Sequence, residues 1–268
     1  MTLGLIIILI CCGILTNLMS ALFGIGGGVL MVPALHTLFP ELPIQMISAT
    51  SLTIVVGTAI INLISFYKQK ILINIKSMLF WSLGMIVGVQ LGFESSFYVA
   101  DILIISVFIV TLTVLAIRTF LHKSAKSSTD NGQSHDYWRG FFFCTFGGSV
   151  AGLTGIGGGS IMAPLIGQLP SVQTKQIATY SNYMMLIGGL GSLYGYLTKT
   201  PQFYLLNSWQ IGYVNFSIVA IVVGSSFVTS FFSMKLKGML KPELTKKLLG
   251  IILLVIAIYM LLLQFIQH

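Results

Sequence analysis

The sequence predicts an all-α polytopic membrane protein built from two homologous halves with glycine-broken helices, arranged as inverted repeats. Three observations carry the prediction. Hydrophobic residues make up 56% of the 268-residue chain and charged residues 7%, against roughly a quarter charged in a soluble domain, and mean hydropathy is +0.96. Apolar runs repeatedly reach the roughly 20 residues needed to cross a hydrocarbon core of about 30 Å. An internal repeat is present as well: GIGGGVLMVP, Gly24 to Pro33, recurs as GIGGGSIMAP, Gly155 to Pro164.

The apolar segments fall at about 3–23, 28–39, 46–66, 77–93, 97–121, 138–155, 160–169, 175–198, 208–233 and 246–266. The first lacks a basic leader and a small-residue cleavage site and runs straight into the repeated motif, so it reads as retained structure and not as a signal peptide. Segments 28–39 and 160–169 follow the glycine clusters and are too short to span. Segments 46–66 and 175–198 carry hydroxyl-bearing stretches, SATSL (Ser48 to Leu52) and ATYSN (Ala178 to Asn182). Gly84, Gly88 and Gly92 in 77–93 form the small-xxx-small pattern of closely packed membrane helices, echoed by Ala220 and Gly224 in 208–233. The polar run HKSAKSSTDNGQSHD, His122 to Asp136, separates the halves. The expected organisation is a first repeat over 1–121, a polar linker over 122–137 and a second repeat over 138–268.

Fourteen Lys and Arg against six acids give a formal charge of +8. These residues sit between the apolar runs, where they orient a membrane protein, and nucleic acid is not an expected partner. Eight full crossings with the N-terminus inside would leave Lys175 and the five lysines from Lys235 to Lys247 outside. If each glycine-broken opening segment instead dips in and returns to its own side, each half crosses three times, the halves are inverted and both termini lie outside. Lys199 is then the basic residue left outside, together with Glu41, Glu94 and Asp101, which fits the positive-inside rule better.

Glycine clusters within hydrocarbon expose backbone polar groups that lipid cannot satisfy, so they must line a polar or protein-packed site. Helices beginning at the breaks would aim free N–H groups and positive dipole ends there, the ingredients of an anion site. The candidate substrate-binding residues are Gly24, Gly26, Gly27, Gly28, Ser48, Thr50 and Ser51 from the first half. The second half contributes Gly155, Gly157, Gly158, Gly159, Ser160, Thr179, Ser181 and Asn182. The competing readings are close helix packing for the glycines and self-bonding to the helix backbone for the hydroxyls.

Other chemistries lack their parts. A dinucleotide fingerprint has neither its strand nor its acidic residue. Ser160 has no intramembrane base, because His36, His122, His135 and His268 lie in loops or at ends. Cys11, Cys12 and Cys144 lie in apolar segments and read as packing residues; no catalytic residue, metal or cofactor is expected. No acidic or basic residue falls in a segment core to serve a carboxylate relay, and Glu94 and Asp101 read as solvated surface residues. Tyr180, Tyr183, Tyr194 and Tyr196, with Trp81, Trp138 and Trp209, read as interfacial anchors.

The doubled glycine motif, SATSL after its first copy, and the late GYVNF stretch, Gly212 to Phe216, resemble the sulfite exporter TauE/SafE family along the whole chain. The resemblance implies a polytopic transporter of the bacterial cytoplasmic membrane that exports sulfite or moves sulfonates and related sulfur-containing or organic anions. Tyr180 and Asn182 stand where Thr50 and Leu52 do in the first copy, so the two halves of the site are not equivalent. The expected partners are a small anionic substrate and the lipid bilayer, with H+ or Na+ as the alternatives for a coupling ion; oligomeric state is open. The reading from another class is a membrane-embedded enzyme or structural subunit without transport activity.

Overall fold

The computed structural model describes residues 3–23, 26–68, 71–121, 133–201, 203–205, 208–237 and 242–267. In order these form α1 (Leu3–Phe23), α2 (Gly28–Leu38), α3 (Ile44–Lys68), α4 (Ile75–Ser95), α5 (Asp101–Leu121), α6 (Gln133–Thr154), α7 (Gly158–Ile166) and α8 (Thr174–Thr198). A two-strand antiparallel hairpin, β1 (Gln210–Ile211) and β2 (Val214–Asn215), precedes α9 (Phe216–Lys237) and α10 (Pro242–Gln267). The chain is thus an all-α membrane protein, and among the described residues α1, α3, α4, α5 and α10 contain stretches long and apolar enough to span.

Burial separates lining from shell. In α3, 83% of the most apolar window is buried, against 33% in α1 and α5 and 22% in α10. The outer helices turn stripes of large apolar side chains to lipid: Leu79, Leu83, Val87 and Leu91 along α4, and Val110, Val114 and Leu121 along α5, are all exposed. α8 carries Asn182, Ser181, Ser192 and two inward tyrosines; wrapped by other helices, it does not need the apolarity that lipid contact demands.

Glycine sets the neighbours. A Cβ on Gly84, Gly88 or Gly92 would run into the Phe141, Thr145 or Ser149 carbonyl of α6, and one on Gly148 or Gly152 into the Met85 or Val89 carbonyl of α4. α4 and α6 therefore lie parallel with backbones in contact, as the small-xxx-small spacing predicts. The echo in α9 does not pack in this way, since Gly224 has open space where its Cβ would be. Instead α9 lies parallel to α1: Gly13 abuts Val222, Ser226 Oγ donates to the Gly13 carbonyl (2.9 Å) and Asn17 Nδ2 donates to Thr229 Oγ1 (3.2 Å). α4 thus packs on the opening helix of the second half, and α9 on the opening helix of the first.

The chain reverses after each opening helix. Gly27 sits against Thr16 of α1, and Gly147 of α6 sits against Ile161, Met162 and Leu165 of α7, so each short helix runs back along the longer one before it.

Two boundaries differ from the sequence reading. α6 begins at Gln133, so His135, Asp136 and Tyr137 are helical; residues 122–132 lie outside the described residues. The apolar segment 208–233 opens as a hairpin. Gly212 (φ +55°) makes its turn, and the Asn215 side chain accepts from Ile218 N (3.2 Å) to start α9. Hydropathy reads Ile211, Tyr213 and Val214 as helix, but the turn and cap are decided by Gly and Asn.

Candidate functional site

Gly26 (φ +73°), Gly155 (φ +73°) and Gly157 (φ +84°) take backbone conformations that side chains resist. The two breaks meet. A Cβ on Gly28 would strike the Ile156 carbonyl, and the Gly157 Cβ position lies 3.4 Å from the Gly28 Cα and 2.8 Å from Val55 Cγ2. The Cβ position of Gly26 lies 2.9 Å from Met185 Sδ and 3.5 Å from Val55 Cγ1. Val55 and Met185 are near the middles of α3 and α8, so the contact sits at mid-depth of the bundle.

Both short helices start there, α2 after Gly27 and α7 after Gly157, neither with a side-chain cap. Their first N–H groups have no acceptor within the helix, and each helix adds the positive end of its dipole. Gly158 and Gly159 are buried in the first turn of α7. Gly24 lies outside the described residues.

The hydroxyls form two sets. Beside the second break, Ser51 Oγ donates to the Gly155 carbonyl (2.9 Å) and Ser160 Oγ to the Gly157 carbonyl (3.3 Å), while Thr50 Oγ1 accepts from Asn215 N (3.2 Å). Ser48, fully buried against Gly155, has no partner for its Oγ. In the other set Asn62 Nδ2 donates to Ser20 Oγ (2.5 Å) and to Asn182 Oδ1 (3.2 Å), and Asn182 Nδ2 donates to the Ala178 carbonyl (2.7 Å). Thr179 and Ser181 next to it, and Thr16 against Gly27, are buried with hydroxyls that have no partner.

α3 and α8 run antiparallel, Asn62 facing Asn182 and Val56 facing Gly189. Ser48 and Ser181 therefore lie on opposite sides of the glycine contact, roughly 20 Å apart by helix rise. The structure brings the two glycine breaks together and leaves the two hydroxyl sets apart, one beyond each side. A buried hydroxyl without a partner costs about 1–3 kcal/mol, so of the hydroxyls expected at the site Ser48, Thr179 and Ser181 are the ones with unused capacity for a ligand. Ser51, Thr50 and Ser160 are occupied by the backbone.

Sequence reasoning missed Asn17, Asn62 and Ser20, although an amide inside an apolar run was the signal available. It also placed several groups outside that the structure turns inward. Trp81, Tyr180 and Tyr196 are buried, whereas Trp138, Trp209 and Tyr194 are exposed as interfacial anchors would be. Asp136 is 4% exposed and accepts from Ser171 N (2.9 Å). Glu94, read as a solvated surface group, does stay half-exposed, but it pairs with Lys199 Nζ at 2.6 Å, and that ammonium lies 4.1 Å from the Phe97 ring centroid.

A polar cavity of about 160 Å³ lies among Asn74, Ser77, Asp136, Tyr137, Ser171, Gln176 and Tyr180. Beside the glycine contact, between Leu52, Val55, Gly158 and Tyr196, lies a separate void of about 10 Å³, hardly room for one water.

The sequence model of the family described as Sulfite exporter TauE/SafE matches residues 9–260. A Haemophilus influenzae protein named "Probable membrane transporter protein" is 56% identical over 98% of both chains. A Methanocaldococcus jannaschii protein bearing the same description is 26% identical over 95% of both, and a Bacillus subtilis protein, also so described, is 25% identical over 69% of this chain and 75% of its own. No solved structure matches.

Proposed function

We propose that this chain, which belongs to the sulfite exporter TauE/SafE family of membrane transporters, carries a small sulfur-containing or organic anion, sulfite or a sulfonate foremost, across the bacterial cytoplasmic membrane. The observation that carries this reading is the backbone contact between Gly28 and the Ile156–Gly157 segment, where two uncapped helix starts meet at mid-depth. Backbone N–H groups and dipole ends can hold an anion without a fixed counter-charge. The unpartnered hydroxyls of Ser48, Thr179 and Ser181 on either side would receive it on entry and exit.

The inverted-repeat arrangement belongs to the same proposal. Its support is that side-chain contacts sort the helix ends into two groups. Gln45 with Ser96, Gln264 with Ile102 and Lys199 with Glu94 mark one end. Gln176 with Leu72, Ser171 with Asp136 and Gly250 with Phe120 mark the other, the end of the polar linker. With each opening helix and its short partner returning to the end they came from, the halves enter from opposite faces, and the basic residues Lys76, Arg118 and Arg139 gather at the linker end, which is the cytoplasmic one.

The test is flux in proteoliposomes with a panel of sulfite, thiosulfate, a taurine-like sulfonate and a carboxylate. Flux of one anion above protein-free vesicles is expected. Absence of flux for all of them, from folded and inserted protein, would overturn the anion reading and favour another solute or a role without transport.

A further inference from the structure

α4 and α8 lie side by side and parallel through the depth of the bundle. Trp81 packs at a tilt against Tyr180 (ring centroids 5.4 Å), Met85 fills the space beside Gly188, and Phe93 meets Tyr196 edge-on (4.5 Å). Met85 also packs on Gly158 at the second break. The seam therefore passes the glycine contact at its middle and holds one buried aromatic pair toward each end.

The two ends are closed differently. Outside Trp81 and Tyr180 lies the polar cavity of about 160 Å³, and the Tyr180 hydroxyl accepts from Asn74 N (2.7 Å). Outside Phe93 and Tyr196 the Lys199–Glu94 pair joins the ends of α8 and α4. Lys199 also lies 5.9 Å from the Phe93 ring centroid, and Tyr213 adds a third ring to Phe93 and Phe97. Burial pushes the Tyr213 phenol up, with Lys199 opposing, so this cluster carries no second negative charge beside Glu94. Tyr196 itself borders the void of about 10 Å³ at Gly158.

We propose that Trp81–Tyr180 and Phe93–Tyr196 are the two gates of a solute route along the α4–α8 seam, with Lys199–Glu94 as the latch of the second. The structure is then the state shut at the latch, with a polar vestibule at the linker end. This rests on the transport reading above. Lys199 and Glu94 are 34% and 46% exposed; an ion pair so hydrated is weak enough to open and close. A released Lys199 presents its charge to an anion leaving past Tyr196, while Glu94 alone would repel it, so the latch couples opening to the charge of the cargo.

The experiment uses full-length protein with Cys11, Cys12 and Cys144 replaced, in vesicles of known orientation. Leu52→Cys, at the constriction, is labelled with a membrane-impermeant methanethiosulfonate from the face opposite the linker. Labelling is expected to be slow with the pair intact and to rise about tenfold when Glu94→Gln and Lys199→Gln are added, the shift in open population that a latch implies. Separately, Glu94→Cys with Lys199→Cys, bridged by a short bifunctional methanethiosulfonate, is expected to lose sulfite flux and to recover it on reduction; that recovery shows that the protein stayed folded. Unchanged labelling together with flux that survives bridging overturns the gate while leaving transport standing. Increased labelling in protein that never moves any anion supports the gate and overturns the anion reading instead.

Discussion

Gly157, at φ +84° and with Val55 2.8 Å from where its Cβ would be, has two independent reasons to reject a side chain. Gly157→Val is expected to cut anion flux by more than tenfold, since it both strains the break and fills the contact, with membrane insertion checked by protease protection. Gly224→Ala, in open space, is the matched control and should shift stability by less than about 0.5 kcal/mol. Ser181→Ala separates binding from packing. Its hydroxyl is buried without a partner, so its removal should leave the melting temperature unchanged or raise it, while an anion that used it would bind about 1 kcal/mol more weakly. Equal losses in stability and affinity would assign Ser181 to the scaffold. Motif spacing pointed to these residues, but it could not separate Ser181 from Ser51, because only the folded chain places the Gly155 carbonyl within reach of Ser51 Oγ.

At the level of elements, the α4–α6 seam concentrates the backbone contacts. Gly88→Val would drive its side chain into the Thr145 carbonyl and force the helices apart; a destabilisation of about 1–3 kcal/mol is expected, read by thermal unfolding in detergent. Val87→Leu, one residue earlier and facing lipid, should have almost no effect. The α4 half of this seam was legible as glycines four residues apart. Its partner was not, since the same spacing in α9 lies open while α6 supplies the complementary surface through Gly148 and Gly152. The Asn62 bridge joins α1, α3 and α8, and Asn62→Leu should cost about 1 kcal/mol, the worth of a hydrogen bond between membrane helices.

For the whole molecule, inverted halves require the linker on the cytoplasmic face and the C-terminus on the other. Paired reporters, inserted between 122 and 132 and fused after His268, should give opposite signals; matching signals would restore eight crossings. The five stretches apolar enough to span among the described residues would permit either topology. What favours the inverted one is the reversal of the chain at Gly27 against Thr16 and at Gly147 against Met162, contacts that hydropathy does not encode.

By itself the sequence determined that the chain lives in a bilayer, that one glycine-rich motif occurs twice along it and that it resembles an anion-exporter family. All of these follow from composition, run length and repetition, which are properties of residues near one another in the chain. Only the tertiary structure decided that the two breaks touch, that the hydroxyls divide into sets above and below them, that α4 and α9 pack against the opposite halves, and that Lys199 finds Glu94. Those outcomes depend on which backbones can approach closely. That is set jointly by glycines and carbonyls far apart in sequence, such as Gly28 and Ile156 or Gly88 and Thr145, and no local pattern records the pairing.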